Sequence, residues 1–362
     1  MNIVSFLKKK RPFKSKVKYI SYENDTTTRY NVIFIVGSVN YGDTARLVVQ
    51  KANDLIAQNV GVSIITSEIT MQRFLKPQVN IILLDVCSTK LFARKRNTKI
   101  IKKIIKSKNP DEVHIFSIFS AWSSYYAVKS INKKRAKKHL SPIKTILYIT
   151  KIWDISSYFR KRLVSIVEKV DKIVIMSEQA KDFVLDNYNV DINKMFFENL
   201  IIDKNSMDFE KITENRIADA AKQIGVSNCY NKIIIIPCRY HEDKGLIDLL
   251  YKFNKPYFKS LLNTKLDIDD NDKYIFVFIG DFHNTLEYRK EMQKHIDKLE
   301  LNEKVKLIDK IDDMPAVYSL ASGVIFCQNK PDAFNFALLE VISNKKNLLI
   351  MSKNDSMSYY LR

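Results

Sequence analysis

Two short stretches in the last third of the chain combine charge and spacing in a way that can do chemistry. In CRYHEDKGLIDLL, Arg239 and Lys244 stand five apart and Gly245 follows directly. A guanidinium offers a bidentate fork and an ammonium a point charge, so the pair suits a diphosphate. In PDAFNFALLE, Asp332 and Glu340 stand eight apart around a small apolar segment. Asp332, in a loop, can meet hydroxyl groups of a sugar. Glu340, one turn into a helix, can accept hydrogen bonds from a ribose diol. The helix N-terminus between them offers N–H groups to a phosphate. A basic pair is common in this composition: 60 of 362 residues are Lys or Arg, so about one pair of positions in 36 matches by chance. For the carboxylates the plainer alternative is a near-cap at Asp332 and a solvated helix residue at Glu340.

Rigid elements must bring these stretches together. From Asn31, apolar runs of strand length alternate with helical segments. NVIFIVGS, GVSIITSE, NIILLD, DEVHIFS, KTILYIT and DKIVIMS read as buried parallel strands. Helices are expected over TARLVVQKANDLIAQN, around Asn97 to Ser107, through Ser123 to Lys137, from about Tyr158 to Val170, and from Glu178. After a polar helical connector, roughly Asp208 to Gln223, the pattern restarts. NKIIIIPC, YIFVFIGD, KVKLID, GVIFCQ and NLLIMS are strands with helices between them. This is an α/β pattern of two doubly wound, Rossmann-like domains.

The expected organisation is a basic N-terminal extension over 1–30, a first domain over 31–205 and a second over 206–362, with a cleft between the strand ends. Ligands in such sheets sit at the carboxyl ends of the strands, where Arg239, Lys244 and PDAFNFALLE all fall. Gly37, Gly42, Gly245 and Gly280, four of only seven glycines, fall at strand-to-helix turns. Neither G-x-G-x-x-G nor G-x-x-x-x-G-K-[ST] occurs, which removes the usual dinucleotide and P-loop readings.

Composition sets the outer limits. The length suits two cores, and 46% hydrophobic with 11% aromatic residues is ample to fill them. The net charge of +20 attracts polyanions such as phosphorylated substrates, anionic lipid or nucleic acid, with a codon bias toward Lys, Asn and Ile as the plain alternative. Cys87, Cys229, Cys238 and Cys327 follow no CxxC or Cys/His spacing and read as reduced thiols of a cytoplasmic protein. No apolar run reaches the roughly 18 residues of a membrane span. The opening MNIVSFLKKKRPFK has the wrong order for a signal peptide. Lys8 to Arg11 suits a solvated tail, or a tether to an anionic membrane face.

The second half resembles a retaining glycosyltransferase of the GT-B fold, family 4 in particular. The resemblance rests on CRYHEDKGLIDLL, on the run from YIFVFIGD through DDMPAVYSLASGVIFC, and on PDAFNFALLEVI. The family's Arg, its Lys-Gly, its strand ending in Gly-Asp, its D-M-P-x-x-Y turn and its E-x7-E motif fall on Arg239, Lys244 with Gly245, Gly280 with Asp281, Asp313 to Tyr318, and Asp332 with Glu340. About 120 residues match in order. The resemblance implies a nucleoside diphosphate sugar donor held by the C-terminal domain. Arg239 and Lys244 would lie on the diphosphate, Asp332 on the donor sugar and Glu340 on the ribose, with Gly245, Gly280, Phe334, Asn335 and Phe336 completing the donor site. Arg239, Lys244 and Asp332 would carry catalysis, without a metal. The N-terminal half matches more loosely, through GSVNYGDTARL, DEVHIFS, DKIVIMSEQAKDF and Asn199. Its acceptor side would include Gly42, His114, Thr150 and Lys151.

The sequence also departs from that family. The first acidic residue is aspartate where the family has glutamate. Cys238 and Asn335 stand where glycines are usual, and Thr150 where a histidine is common. After NLLIMSKNDSMSYYLR, family members continue with a strand and a helix that crosses back, so the C-terminal domain is expected to be incomplete. The expected function is therefore transfer of a hexose-type sugar to a lipid-linked or polysaccharide acceptor in cell-surface glycan synthesis, by a cytoplasmic protein at the inner membrane face. The rivals are a lapsed relic or scaffold, a sugar-nucleotide epimerase, and a basic nucleic-acid binder. INKKRAKKH lacks an aromatic stacking platform, so a nucleic-acid partner is not expected. KLDIDDND fails the EF-hand pattern and reads as a solvated loop. His241 reads as a turn residue.

Overall fold

Runs of Ile, Val and Phe with no charge inside them are stable as strands only when both faces are covered, and helices supply that cover here. The computed structural model describes residues 18–20, 30–40, 42–87, 91–152, 166–198, 200, 212–226, 232–269, 271–281, 286–329, 333–343 and 346–352. Asp332, Asn199 and most of the helix expected from Tyr158 lie outside these residues. The chain divides into two compact units, with the division falling after Glu198.

The N-terminal unit holds an eight-stranded sheet. Its strands are β1 (Lys18–Ile20), β2 (Asn31–Ile35), β3 (Gly61–Thr66), β4 (Asn80–Leu83), β5 (Glu112–Ile115), β6 (Lys144–Tyr148), β7 (Lys172–Ile175) and β8 (Met195–Phe197), in the spatial order β1-β4-β3-β2-β5-β6-β7-β8. From β2 onward every pairing is parallel. The order reverses between β2 and β5. Helices α1 (Asp43–Ala57), α2 (Leu91–Lys108) and α3 (Ile118–Ala136) follow β2, β4 and β5.

Four details differ from the sequence expectation, the first being β8, whose M-F-F run is too short to stand out as a strand. Within the extension over 1–30, Lys18–Ile20 forms β1 and pairs antiparallel with β4, Tyr19 lying opposite Ile82. Helix α2 begins six residues before Asn97, because the segment ahead of it has no breaker and Asn97 is buried with its Nδ2 donating to Asp85 O at 2.6 Å. Helix α3 begins at Ile118 instead of Ser123. Its serines look like loop residues, yet Ser120 Oγ donates to Ser117 O and Ser124 Oγ to Ser120 O, each at 2.8 Å, so the hydroxyls are satisfied within the helix.

The C-terminal unit holds a five-stranded, all-parallel sheet: β9 (Lys232–Pro237), β10 (Tyr274–Ile279), β11 (Val305–Ile308), β12 (Gly323–Gln328) and β13 (Leu348–Ser352), in the order β11-β10-β9-β12-β13. Alternate residues feed two cores. Ile234, Ile236, Phe276, Phe278 and Ile325 face helices Leu246–Leu250, Pro256–Leu266 and Leu286–Lys298. Ile235, Ile275, Val277, Val324 and Phe326 face helices Glu214–Ile224, Met314–Leu320 and Phe336–Ser343. The helix Pro256–Leu266 was not apparent from the sequence, since its Lys, Ser, Asn and Thr dilute the apolar stripe of Phe258, Leu262 and Leu266. The sheet order reverses between β9 and β12. Crossovers leave β9 on one face and β12 on the other, so the carboxyl ends of these two strands flank a crevice, the place where such sheets bind ligands.

Candidate functional site

Arg239 lies two residues beyond β9 and is exposed. Its position is set by its neighbours on both sides. Cys238 N donates to Ile279 O at 2.9 Å, continuing the ladder toward β10. Tyr240 is fully buried, and its hydroxyl donates to Phe278 O at 2.8 Å and lies 3.0 Å from Ile308 O. That hydroxyl ties the loop to the ends of β10 and β11. Burial pushes its pKa far above the ordinary tyrosine value. Alternation then sends Arg239 outward.

Lys244 ends a 3-10 turn, Glu242–Lys244, which His241 caps by accepting from Asp243 N at 3.2 Å. Gly245 follows with φ of 67°, a left-handed conformation that disfavours any side chain. Burial raises the pKa of the Cys238 and Cys327 thiols, Cys327 to about 12, and the Lys244 charge opposes the rise at both. The ammonium therefore acts on the ends of both β9 and β12. Gly280 closes the floor: a Cβ there would lie 1.6 Å from Cys238 O, so only glycine lets β10 end against the loop that carries Arg239. Arg289 adds a further cation near this edge, its Nη2 donating to Leu307 O at 3.4 Å.

On the other side of the switch point, the helix Phe336–Ser343 follows β12. Asn335 is its N-cap, with Oδ1 accepting from Leu338 N at 3.0 Å. The asparagine in the place of a family glycine thus has a structural task. Glu340 is 1% exposed, which rules out the solvated-helix alternative. Phe334 and Phe336 are each 2% exposed and pack edge to face at 5.8 Å. Their rings are buried inside the fold, at the start of the helix that carries Glu340. The D-M-P turn is likewise structural in its visible contacts. Asp313 caps the helix Met314–Leu320 through Ala316 N at 3.2 Å and grips Arg216 through two bonds of 2.8 and 2.7 Å.

The N-terminal candidates are scattered. Gly42 precedes α1 with φ of 141° and an open space around it. Thr150 Oγ1 donates to Phe116 O at 3.1 Å, and Lys151 beside it is exposed. His114 is 6% exposed, with Nδ1 3.0 Å from the Tyr148 hydroxyl and Nε2 2.9 Å from Glu112 Oε2. Burial lowers its pKa, and the hydrogen bond from His114 lowers that of Glu112. Both ring nitrogens are thus within hydrogen-bond distance of a partner in the N-terminal sheet.

The sequence reading missed Cys87 and Ser117 at the switch point between β2 and β5. Cys87 Sγ lies 3.5 Å from Ser117 Oγ, and both approach Gly37. No spacing signal joins three residues that only the sheet order brings together. The acidic stretch after residue 266 is a turn in which Asn271 N donates to Asp269 Oδ1 at 2.8 Å.

No family model matches the sequence, and no curated protein matches it. Solved structures do resemble it. A glycosyltransferase from Rickettsia africae has a TM-score of 0.72 at 22% identity, covering 90% of this chain and 80% of its own. HepE of Anabaena, solved with UDP and glucose, has a TM-score of 0.65 at 14% identity over 88% of this chain and 80% of its own. WaaG, a glycosyltransferase involved in lipopolysaccharide biosynthesis, has a TM-score of 0.62 at 11% identity over 88% and 80%. The two Rossmann-like units have the fold of the GT-B glycosyltransferases.

Proposed function

We propose that this chain is a glycosyltransferase that takes a hexose-type sugar from a nucleoside diphosphate donor and passes it, with retention, to a lipid-linked or polysaccharide acceptor. The observation that carries this reading is the meeting of Arg239, the Lys244 turn and the Glu340 helix at the switch point of the C-terminal sheet. Two cations follow β9 and a helix N-terminus follows β12, the two strands of the switch point, an arrangement that suits a diphosphate leaving group as its charge develops. A metal is then not required. In this reading Asp332 serves the donor sugar and Glu340 the ribose. The acceptor oxygen forms its bond to the anomeric carbon on the face from which the phosphate oxygen departs, and that oxygen receives the acceptor's proton. The acceptor is held by the N-terminal unit, with Gly42, Thr150 and Lys151 nearest the strand ends.

An anionic membrane face is the proposed setting. Among the described residues, no helix is long and apolar enough to cross a membrane. Helix α2 carries no acidic residue, exposes Lys95, Arg96, Lys99, Lys103 and Lys106, and begins beside Phe92, which is 87% exposed. Helix α3 packs against α2, exposes Phe119 at its own start, and ends in Lys133, Lys134 and Arg135. Cations beside exposed aromatics suit anionic headgroups. Sedimentation with phosphatidylglycerol vesicles, reversed by salt, is the expected result.

The deciding experiment is thermal unfolding of the wild type and Arg239→Ala with UDP, GDP and ADP. A donor site at one hundred times its dissociation constant adds about 2.7 kcal/mol of stability. One nucleotide should stabilise the wild type and leave the variant unmoved. If none of the three shifts the wild type, the proposal fails. Retention is read separately, from the anomeric configuration of the product.

A further inference from the structure

Asn329 is the first residue beyond β12, and its contacts run to the turn that carries Lys244. Its backbone N–H donates to Asp243 O at 2.8 Å. Its Nδ2 donates to Asp248 Oδ2 at 3.1 Å. Its carboxamide also fills the space that a side chain on Gly245 would need, with Oδ1 2.6 Å and Nδ2 3.0 Å from the position of a Cβ there. Asp243 and Asp248 follow β9, whereas Asn329 follows β12, so these contacts cross the switch point. The ladder between the strands pairs Gly323 with Ile234 and Val324 with Ile235, and β12 then runs on to Gln328. Beyond that ladder, Asn329 joins the two sides.

We propose that Asn329 is a positioning residue, which fixes the Lys244 ammonium against a donor diphosphate through its pairing with Asp248. This role rests on the donor reading above. The chemistry asks for an amide. Toward Asp248 the residue must donate, because a carboxylate at 329 would place two like charges at hydrogen-bond distance. Toward Gly245 it must be thin and planar, because the glycine leaves room for nothing wider. A misplacement of about 1 Å at a group that meets the reacting phosphates can cost on the order of 100-fold in rate. Lys244 sits one residue from the glycine that Asn329 covers, so a shift of the turn is transmitted directly to its side chain.

The test is a reciprocal swap. Asn329→Asp, Asp248→Asn and the double variant N329D/D248N are nearly isosteric with the wild type. The double variant restores one donor and one acceptor with their places exchanged. Calorimetric titration with UDP, GDP and ADP gives nucleotide affinity, turnover of the cognate sugar nucleotide gives kcat and KM, and hydrogen exchange follows the 242–250 turn. N329D should lower kcat/KM by on the order of 10- to 100-fold, weaken the nucleotide and speed exchange in the turn, and the double variant should regain most of each. A general packing defect would not be mended by a second mutation that only exchanges a donor for an acceptor. The proposal is overturned if N329D binds and turns over like the wild type, or if the double variant is no better than the single. A wild type that binds none of the three nucleotides overturns the donor reading and this role with it. Exchange protection lost in N329D and regained in the swap then separates that failure from the absence of a clamp.

Discussion

At the switch point of the N-terminal sheet, between β2 and β5, small uncharged groups gather, Gly37, Cys87, Ser117 and Thr150, with one charge of each sign beside them, Asp85 and the exposed Lys151. At the corresponding place in the C-terminal sheet, between β9 and β12, stand Arg239, Lys244 and a capped helix that buries Glu340. Topology is the same in both, since a reversal of strand order opens a crevice in either sheet. What differs is the balance of charge, which is mixed at the first edge and carries two cations at the second. In the proposed function the charged edge would take the diphosphate, and the other edge the acceptor's hydroxyl groups. Under the proposed function, the contrast would give the donor to the C-terminal unit and the acceptor to the N-terminal one.

The largest expected effect breaks this contrast if it fails. Lys244→Ala should lower turnover roughly 100- to 1,000-fold, the loss typical of removing one preorganised group from a developing anion. Lys151→Ala should leave nucleotide affinity unchanged, because its charge belongs to the other edge. Nucleotide titration of both variants decides the matter. Equal losses of nucleotide binding would mean that the two edges do not divide the substrates.

The next effect concerns the floors of the two crevices. Gly280→Ala would drive a Cβ into the backbone oxygen of Cys238 at 1.6 Å, so the strand end must move, at a cost of about 3 kcal/mol or more. Gly37→Ala would crowd the Cys87 sulfur at 2.8 Å, the end of a side chain that can rotate away, with Ser117 at an ordinary 3.8 Å, at roughly 1 kcal/mol or less. Denaturant midpoints of the two variants should separate clearly. Similar midpoints would show that the C-terminal floor is no more tightly built than the N-terminal one.

The strands were legible in the sequence because parallel strands covered on both faces write themselves as unbroken apolar runs, IIIIP and YIFVFI among them. Their alternation with helices was enough to place Arg239, Lys244 and Glu340 at the carboxyl ends. The buried state of Glu340 was not legible, since a carboxylate one turn into a helix reads as solvated until the packing of Leu338 and Val341 on either side is known. Asn329 and Tyr240 were missed for the same reason. Their tasks are bonds to residues 81 and 38 positions away, which local spacing does not encode. Propensity starts helix α3 too late because it counts serine as a helix-avoiding residue, whereas here the hydroxyls of Ser120 and Ser124 donate to carbonyls of the preceding turn.

A third prediction sharpens the contrast through pH. Burial holds the pKa of His114 below the ordinary histidine value, so the folded N-terminal unit resists a proton that the unfolded chain accepts near pH 6.5. Stability should therefore fall as pH drops below about 6.5, by at most about 1.4 kcal/mol per pH unit for the one proton. The groups facing His114 are Glu112, Tyr148, Lys51 and Glu198. Glu112, held low mainly by its bond to His114, keeps its contribution until the pH falls through its own depressed value, so it does not oppose the trend in this window. Both tryptophans, Trp122 and Trp153, precede residue 198, so indole fluorescence follows the N-terminal unit. His114→Gln keeps a donor and an acceptor on the amide and should flatten the slope between pH 6.5 and pH 5. An unchanged slope in that variant would place the acid-sensitive group elsewhere.

The smallest effect tests how far the C-terminal site extends. Asp313 both caps a helix and pairs with Arg216, and the two tasks can be separated. Asp313→Ala removes both and should cost about 1–2 kcal/mol, most of it from the cap. Arg216→Ala leaves the cap in place and should cost less than about 1 kcal/mol, because both partners of the pair are more than a third exposed or close to it and the attraction is screened. The bond to Arg216 holds the Asp313 carboxyl below its usual range. Its contribution is present above pH 4 or so and fades as pH falls through the depressed value, so the acid limb of the wild type should lie below that of R216A. If R216A unfolds slightly earlier but binds nucleotide as tightly as the wild type, the D-M-P turn only supports the sheet, and the charge contrast is confined to the ends of β9 and β12. A loss of nucleotide affinity in R216A would instead extend the donor site along this face to the helices Glu214–Ile224 and Met314–Leu320, and the switch point alone would no longer account for it.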